Sequence, residues 1–229
     1  MANNNGNALQ IDIISDVMCP WCYIGKRNFE AARSLLDDVD LTVSWRPYQL
    51  DATLPKEGKD RQLYLSEKFG GEERAAEIYK RIEDAGHAVG IDFEFGEIKV
   101  SPNTLDAHRL IRWAGGQSEE LQDKIVLRLF ELFFLEGANI GDDHVLVGAA
   151  DHIGMDGDLV RRLLASSADV EEVKAEIATA QRMGVTGVPC FIIDQRYAVA
   201  GAQPPEQLAS AMRQAAAEKL EEAEFSDSQ

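Results

Sequence analysis

The sequence predicts an α/β domain of order βαβ…ββα, split by a large all-helical insertion. Three observations carry this. Residues 9–46 run strand, helix, strand. From about residue 59 to 182 the apolar residues recur at helical spacing. From residue 183 the pattern returns to two short strands and a closing helix. The boundaries that follow are one domain from 9–58 and 183–223, an insertion over 59–182, a disordered tail at 1–8 and an acidic tail at 224–229.

The elements read as follows in order. Ile11–Ile14 is a short apolar run, a buried strand. Residues 20–36 form a helix, and the polar break at residues 37–40 ends it. Leu41–Arg46 alternates apolar and polar, so it is a second strand, and the crossover is long enough for parallel pairing with the first. Pro47–Gly58 leaves the sheet as a loop. Helices follow at Arg61–Phe69 and Glu72–Val89, separated by Gly70-Gly71, with a short extended segment at Ile91–Phe95. Ser101-Pro102-Asn103-Thr104 offers caps for Leu105–Ala114, and Gly115-Gly116 stops that helix. Ser118 precedes Leu121–Glu136, a helix apolar on most sides. Asp142-Asp143, Asp156 and Asp169 open three more helices, the last over Val170–Met183. Cys190–Ile193 and Tyr197–Gly201 read as a hairpin turned at residues 194–196, and Pro204-Pro205 opens a helix from Gln207 to about Glu222.

Composition narrows the function. A chain of 229 residues, 45% hydrophobic and 28% charged, is an ordinary globular protein. Its net charge of −17 argues against nucleic acid and against anionic membranes as partners. Residues 1–7 are polar and lack an apolar signal core, which reads as the tail of a cytoplasmic protein. In a reducing compartment, paired cysteines are more often catalytic than structural.

The chemistry is concentrated in Cys19-Pro20-Trp21-Cys22, placed between the first strand and the first helix. If the helix starts at Pro20, Cys19 is the N-cap and Pro20 occupies a position where a missing N–H costs nothing. The Cys19 sulfur then stands where a capping oxygen accepts from the N–H groups of residues 21 and 22. With the helix dipole, this lowers the expected thiolate pKa of Cys19. Cys22 lies one turn on, on the same side, within reach of an S–S bond. A nucleophile with a resolving partner predicts thiol–disulfide exchange. Two bland alternatives stay open, half a zinc site or two inert core cysteines. Zinc wants a second pair, and the remaining cysteine (Cys190) and four histidines (His87, His108, His144, His152) lack metal-ligand spacing, so no metal is expected.

Residues 15–25 (Ser-Asp-x-x-Cys-Pro-Trp-Cys-Tyr-Ile-Gly), 101–110 (Ser-Pro-Asn-Thr-x-x-Ala-His-Arg-Leu) and 184–203 (Gly-Val-Thr-Gly-Val-Pro through Ala-Gly-Ala-Gln) resemble the DsbA-like thioredoxin-fold oxidoreductases, specifically the FrnE-like branch. The resemblance implies a thioredoxin fold interrupted by a helical domain, with disulfide exchange at Cys19 and Cys22. It makes Pro189 the cis-proline facing the cysteines, and leaves the Val188 backbone to pair with a substrate segment. Unlike periplasmic DsbA, this chain has Trp21 rather than histidine in the dipeptide, which implies a weaker oxidant. The related glutathione transferase kappa and 2-hydroxychromene-2-carboxylate isomerase branch usually has serine where Cys19 stands.

Pro20, Trp21, Met18, Val188 and Pro189 are the expected substrate-binding residues, with Met18 and Trp21 as an apolar rim. Asp12 and Asp16 are candidate proton acceptors when Cys22 attacks. Cys190 is a packed strand residue, or a partner of Cys19 in a mixed disulfide or metal site. His108 is structural or catalytic. The expected activity needs no cofactor beyond the redox-active disulfide, and its partners are protein or peptide thiols and disulfides, or glutathione as co-substrate. The rivals are a glutathione-dependent kappa-like isomerase or transferase, and a redox-switched chaperone or binding module. The oligomeric state is not legible.

Overall fold

The computed structural model describes residues 8–36 and 39–227. Strand β1 (Leu9–Ser15) is the centre of the sheet. Helix α1 (Pro20–Arg33) crosses to β2 (Leu41–Pro47), which pairs parallel with β1 from Leu9 opposite Leu41 to Ser15 opposite Pro47. Strand β5 (Cys190–Ile193) pairs antiparallel on the other side of β1, and β6 (Tyr197–Ala200) completes the order β2-β1-β5-β6. The β5–β6 turn has φ of 49° at Asp194 and 57° at Gln195, with Arg196 N–H donating to Ile193 O at 3.0 Å. Positive φ at both central residues matches the right-handed twist of a tight hairpin.

Alternation sorts the sheet's two faces. Ile11, Ile13, Phe191 and Ile193 share the main core with Phe29 and with α9 (Pro205–Asp227), which packs on α1. Phe29 stacks on Phe191 at 5.8 Å. Ile14, Cys190 and Ile192 face the other way, into a small cluster with Ala180 and Val185. Buried Asn28 on α1 donates to the carbonyls of Ala202 and Gln203, tying α1 to the segment that starts α9.

The insertion holds α2 (Arg61–Phe69), α3 (Glu72–His87), α4 (Leu105–Gly115), α5 (Glu119–Phe134), α6 (Asp143–His152), α7 (Gly157–Leu164) and α8 (Val170–Arg182). The sequence reading of helix order holds through this region. Helix α5 buries Ile125, Leu129, Phe130, Phe133 and Phe134, and Tyr23 of α1 stacks on Phe130 at 5.1 Å. Burying such a ring is worth roughly 1.5–3 kcal/mol, so the stack anchors the first turn of α1 to the insertion. Helix α5 also closes the β2 edge. Gln122 accepts from Trp45 N–H at 2.9 Å and donates to Trp45 O at 3.2 Å, supplying the bonds a further strand would make.

Several details differ from the sequence reading. The insertion is not wholly helical: β3 (Lys59–Asp60) and β4 (Val100–Ser101) form a two-stranded ladder, too short to leave a period in the sequence. Residues 95–97 form a 3-10 turn after the extended segment. Helix α1 stops at Arg33 rather than 36. Asp169 has φ of 58° and does not cap α8 with its side chain; its carboxylate takes Arg112 at 3.0 Å and Trp113 at 2.8 Å instead. Helix α9 runs to Asp227, so residues 224–227 continue it rather than forming a separate tail. Of the expected tail at 1–8, Ala8 is described, its carbonyl accepting from Lys219 Nζ at 2.9 Å, so the expectation of a tail fails there; residues 1–7 lie outside the described residues, as do residues 37–38 of the polar break and the last two residues.

Candidate active site

Helix α1 starts at Pro20, with Cys19 in extended conformation (φ −93°, ψ 114°) as its N-cap. Proline at N1 fixes this start, because its φ suits the helix and its absent N–H is one that would go unpaired. Both cysteines are free thiols. Cys22 N–H donates to Cys19 O at 3.0 Å, closing the first turn. Cys19 is 4% exposed and Cys22 is 0% exposed, so Cys19 is the more accessible of two buried thiols.

The expected capping bonds to the Cys19 sulfur are not formed. The Cys19 thiol instead donates to Val188 O at 3.6 Å. The reason is chemical: a neutral thiol carries a hydrogen and seeks an acceptor, whereas only a thiolate is an effective acceptor for the helix N–H groups. Burial pushes the Cys22 thiol well above its ordinary range, and the adjacent Cys19 pushes it further. The Ser15 hydroxyl and the Asp16 backbone pull weakly the other way. Apart from this approach to Cys22, buried Ser15 Oγ has no hydrogen-bond partner among the described residues.

The Val188–Pro189 peptide bond is cis, as the resemblance implied. Among the described residues Val188 N–H has no acceptor, and its carbonyl takes only the Cys19 thiol. The Pro189 ring lies against α1 at Gly25, where an added methyl would stand 2.8 Å from Pro189 Cγ. Gly25 is therefore a site residue that sequence reasoning missed. Its signal was a glycine inside an otherwise good helix.

Asp16 is wholly buried and joins three segments. Its backbone oxygen accepts from Cys19 N–H at 2.9 Å. Its carboxylate accepts from Leu50 N–H at 2.8 Å and, more loosely, from Met18 N–H at 3.4 Å. His108, on α4, puts Nε2 3.4 Å from the Asp16 carboxylate and 2.8 Å from Tyr48 O. Asp16 and His108 thus form one buried node that holds the cysteine loop to the loop after β2 and to the insertion.

The remaining candidates divide. Trp21 is 40% exposed at the mouth, while Met18 is buried rather than forming a rim. Pro20 is buried at the helix start. Asp12 lies on the opposite face of the sheet, paired with Arg46 at 2.6 Å and bonded by Gln10, so it does not join the cysteines. Cys190 likewise packs with Ile14, Ala180 and Ile192, and burial raises its thiol. The strand period explains both: Asp12, Ile14, Cys190 and Ile192 point away from α1. No group of three or more His, Cys, Asp or Glu suited to a metal ion occurs among the described residues. No described helix is long and apolar enough to cross a membrane.

A four-stranded thioredoxin sheet with a helical insertion, and two cysteines at the head of its first helix facing a cis-proline loop, define the class. Residues 10–213 match the DSBA-like thioredoxin domain, and the chain belongs to that family. It is 31% identical to the probable DsbA oxidoreductase SCO1869 from Streptomyces coelicolor, at a TM-score of 0.81 over 90% of this chain and 89% of that one. It is 27% identical to the uncharacterized protein YwbO of Bacillus subtilis (strain 168), over 81% of this chain and 86% of the other. A 2-hydroxychromene-2-carboxylate isomerase shares the fold at a TM-score of 0.68 and 16% identity, over 90% of this chain and 95% of that one.

Proposed function

We propose that this protein is a thiol–disulfide oxidoreductase of the FrnE-like branch that works in a reducing, cytoplasmic compartment on protein or peptide disulfides, with glutathione as an electron partner. One observation carries the reading: Cys19 is the N-cap of α1 and keeps slight exposure, while Cys22 is sealed one turn behind it. The Cys19 thiolate attacks a substrate disulfide, forming a Cys19–substrate disulfide and expelling one substrate thiolate. Cys22 then loses its proton and attacks the Cys19 sulfur, releasing the second thiolate and leaving a Cys19–Cys22 disulfide. One protein dithiol is oxidised and one substrate disulfide is reduced to two thiols. The redox-active pair is the whole of the chemistry, and no cofactor is required.

The exposed Trp21 and the Val188 backbone N–H, which has no acceptor among the described residues, are the groups a bound peptide meets first. The presence of a thiol at position 19 favours exchange over kappa-type isomerisation or conjugation. Insulin reduction tests the reading. Cys19→Ser should abolish it, and Cys22→Ser should accumulate mixed disulfides resolvable on non-reducing gels. Wild-type protein that conjugates glutathione to an electrophile but leaves insulin intact would overturn it.

A further inference from the structure

Three lysine or arginine side chains are buried among the described residues, and two are compensated. Lys26 donates to Glu30 at 2.7 Å and to Asp123 at 2.7 Å. Arg109 meets Asp106 at 2.7 Å and the carbonyls of Leu163, Ser166 and Ala168. Arg61 is different. It is 5% exposed, its backbone N–H goes to Lys99 O, its guanidinium has no ion pair among the described residues, and its buried Nη2 has no hydrogen-bond partner there. Aromatic faces surround it instead: the guanidinium carbon lies 5.2 Å from the Tyr79 ring, 5.5 Å from Phe133 and 6.0 Å from Phe95. Ring faces and the nearby Tyr79 hydroxyl offset part of the cost of burying a cation, but they supply no counter-charge and leave Nη2 without an acceptor. A buried charge left without a counter-ion requires an explanation, and a missing anion is the simplest.

The space for one is present. Arg61 opens onto a cleft of about 360 Å³ between α2, α3 and the segment 95–99. Leu65, Ala76, Tyr79, Phe95 and Ile98 supply apolar and aromatic walls, and Lys99 stands at the side. The nearby acid, Asp60, is already committed as the α2 cap, accepting from Leu63 N–H. Clefts that hold ligands run from about 300 Å³ upward, with apolar walls and a few placed polar groups. This one has the volume of a small molecule, one buried positive head and flat apolar sides.

We propose that this cleft binds a small monocarboxylate with an apolar or aromatic body, the carboxylate taken by Arg61 and the body laid between Tyr79 and Phe95. The site belongs to the insertion and is independent of disulfide exchange.

The test titrates the full chain with 3-phenylpropionate and with its neutral isostere 3-phenylpropionamide, by calorimetry and by the ring signals of Tyr79 and Phe95. A hydrogen bond to a charged group contributes about 1.5–3 kcal/mol, so the acid should bind about 10–100-fold more tightly than the amide. Arg61→Met should erase that preference and keep the amide affinity, and Arg61→Lys should retain part of it. Removing an uncompensated buried charge should leave the melting temperature of Arg61→Met no lower than wild type. Equal binding of acid and amide by the wild type overturns the proposal, as does no saturable binding of the acid at millimolar concentration. So does a preference that survives in Arg61→Met, or a response confined to residues other than Tyr79 and Phe95. Displacement of the acid by an equal concentration of inorganic phosphate marks a bare anion site and also overturns it. If Arg61→Met does not fold, the wild-type comparison of acid with amide decides alone.

Discussion

Gly25→Ala tests whether the site depends on close approach of α1 to the Pro189 loop. Two effects oppose each other. Glycine inside a helix costs about 0.5–1 kcal/mol relative to alanine, so propensity alone predicts a more stable protein. The added methyl would stand 2.8 Å from Pro189 Cγ, 3.3 Å from Pro189 Cβ and 3.5 Å from Phe191 Cζ. Carbon atoms settle at about 3.5–4.0 Å, so the loop or the helix must give by roughly 1 Å. The obstacle is a ring in a buried loop, not the free end of a flexible chain. Overpacking of this kind costs typically about 1–3 kcal/mol, which exceeds the helix gain. The expected net loss is about 0.5–2 kcal/mol. At about 2–4 °C per kcal/mol for a chain of this size, calorimetry should see a lower melting temperature. The same displacement stretches the 3.6 Å contact of Cys19 with Val188 O, so iodoacetamide should alkylate Cys19 at an altered rate. Gly148→Ala is the control. Gly148 lies in α6, and a methyl added there would meet nothing within 4 Å, so the helix gain should act alone and raise stability. If Gly25→Ala melts higher, like Gly148→Ala, and alkylation is unchanged, the argument from close approach is wrong.

Other outcomes follow from the same geometry. Because burial raises the Cys22 thiol above its unfolded value of 9.0, the reduced fold favours the protonated form. That contribution is complete below about pH 9 and is lost as pH rises beyond it. Unfolding of the reduced protein by urea should therefore show stability falling above pH 9, and falling less steeply in Cys22→Ala; parallel curves would refute the assignment. Lys26 is 1% exposed while its partners Asp123 and Glu30 are 48% and 40% exposed. Asp123→Ala should cost about 2 kcal/mol, below the full value for a sealed pair because solvent screens the exposed side. Lys26→Met should cost less than Asp123→Ala, and the reverse order in a denaturant series would show that Lys26 is held by packing alone.

The sequence reveals what local chemistry decides. Proline after Cys19 and aspartates before α6 and α7 are signals within one turn, and the structure uses them as read: Asp142 accepts from His144 N–H and Asp156 from Leu159 N–H. Asp169 has the same local appearance, yet Arg112 and Trp113, more than fifty residues earlier in the chain, claim its carboxylate. Gly25 was legible only as an odd helix residue, because its partner Pro189 is remote in sequence. Strand period places Cys190 and Asp12 on the face away from α1 once the β1–β5 register is known, but the register is a tertiary fact. Arg61 enters the sequence reading only as the first residue of a helix; the packing of three rings around it is a tertiary fact.

The site is held by contacts that cross from one half of the chain to the other, and this bears on how it can work. Asp16 fixes Cys19 N–H and Leu50 N–H while His108 reaches the same carboxylate from the insertion. The loop before α1 is therefore anchored on both of its neighbours. The Val188 carbonyl is anchored to the site through the Cys19 thiol itself. Ionisation or oxidation of Cys19 removes the hydrogen that makes that bond, since neither a thiolate nor a disulfide sulfur can donate. The Val188 carbonyl then joins its N–H as a backbone group without a partner among the described residues, beside the Cys19 sulfur. A peptide laid along that loop could satisfy both in the manner of an added strand. Backbone pairing of this kind ignores side-chain identity, which suits the proposed disulfide exchange. The expected consequence is that peptide affinity follows the state of Cys19, being higher for Cys19–Cys22 disulfide protein than for the dithiol. Titrating a disulfide-free peptide into both forms tests this directly, and equal affinity for the two would show that the thiol–carbonyl contact does not gate the loop.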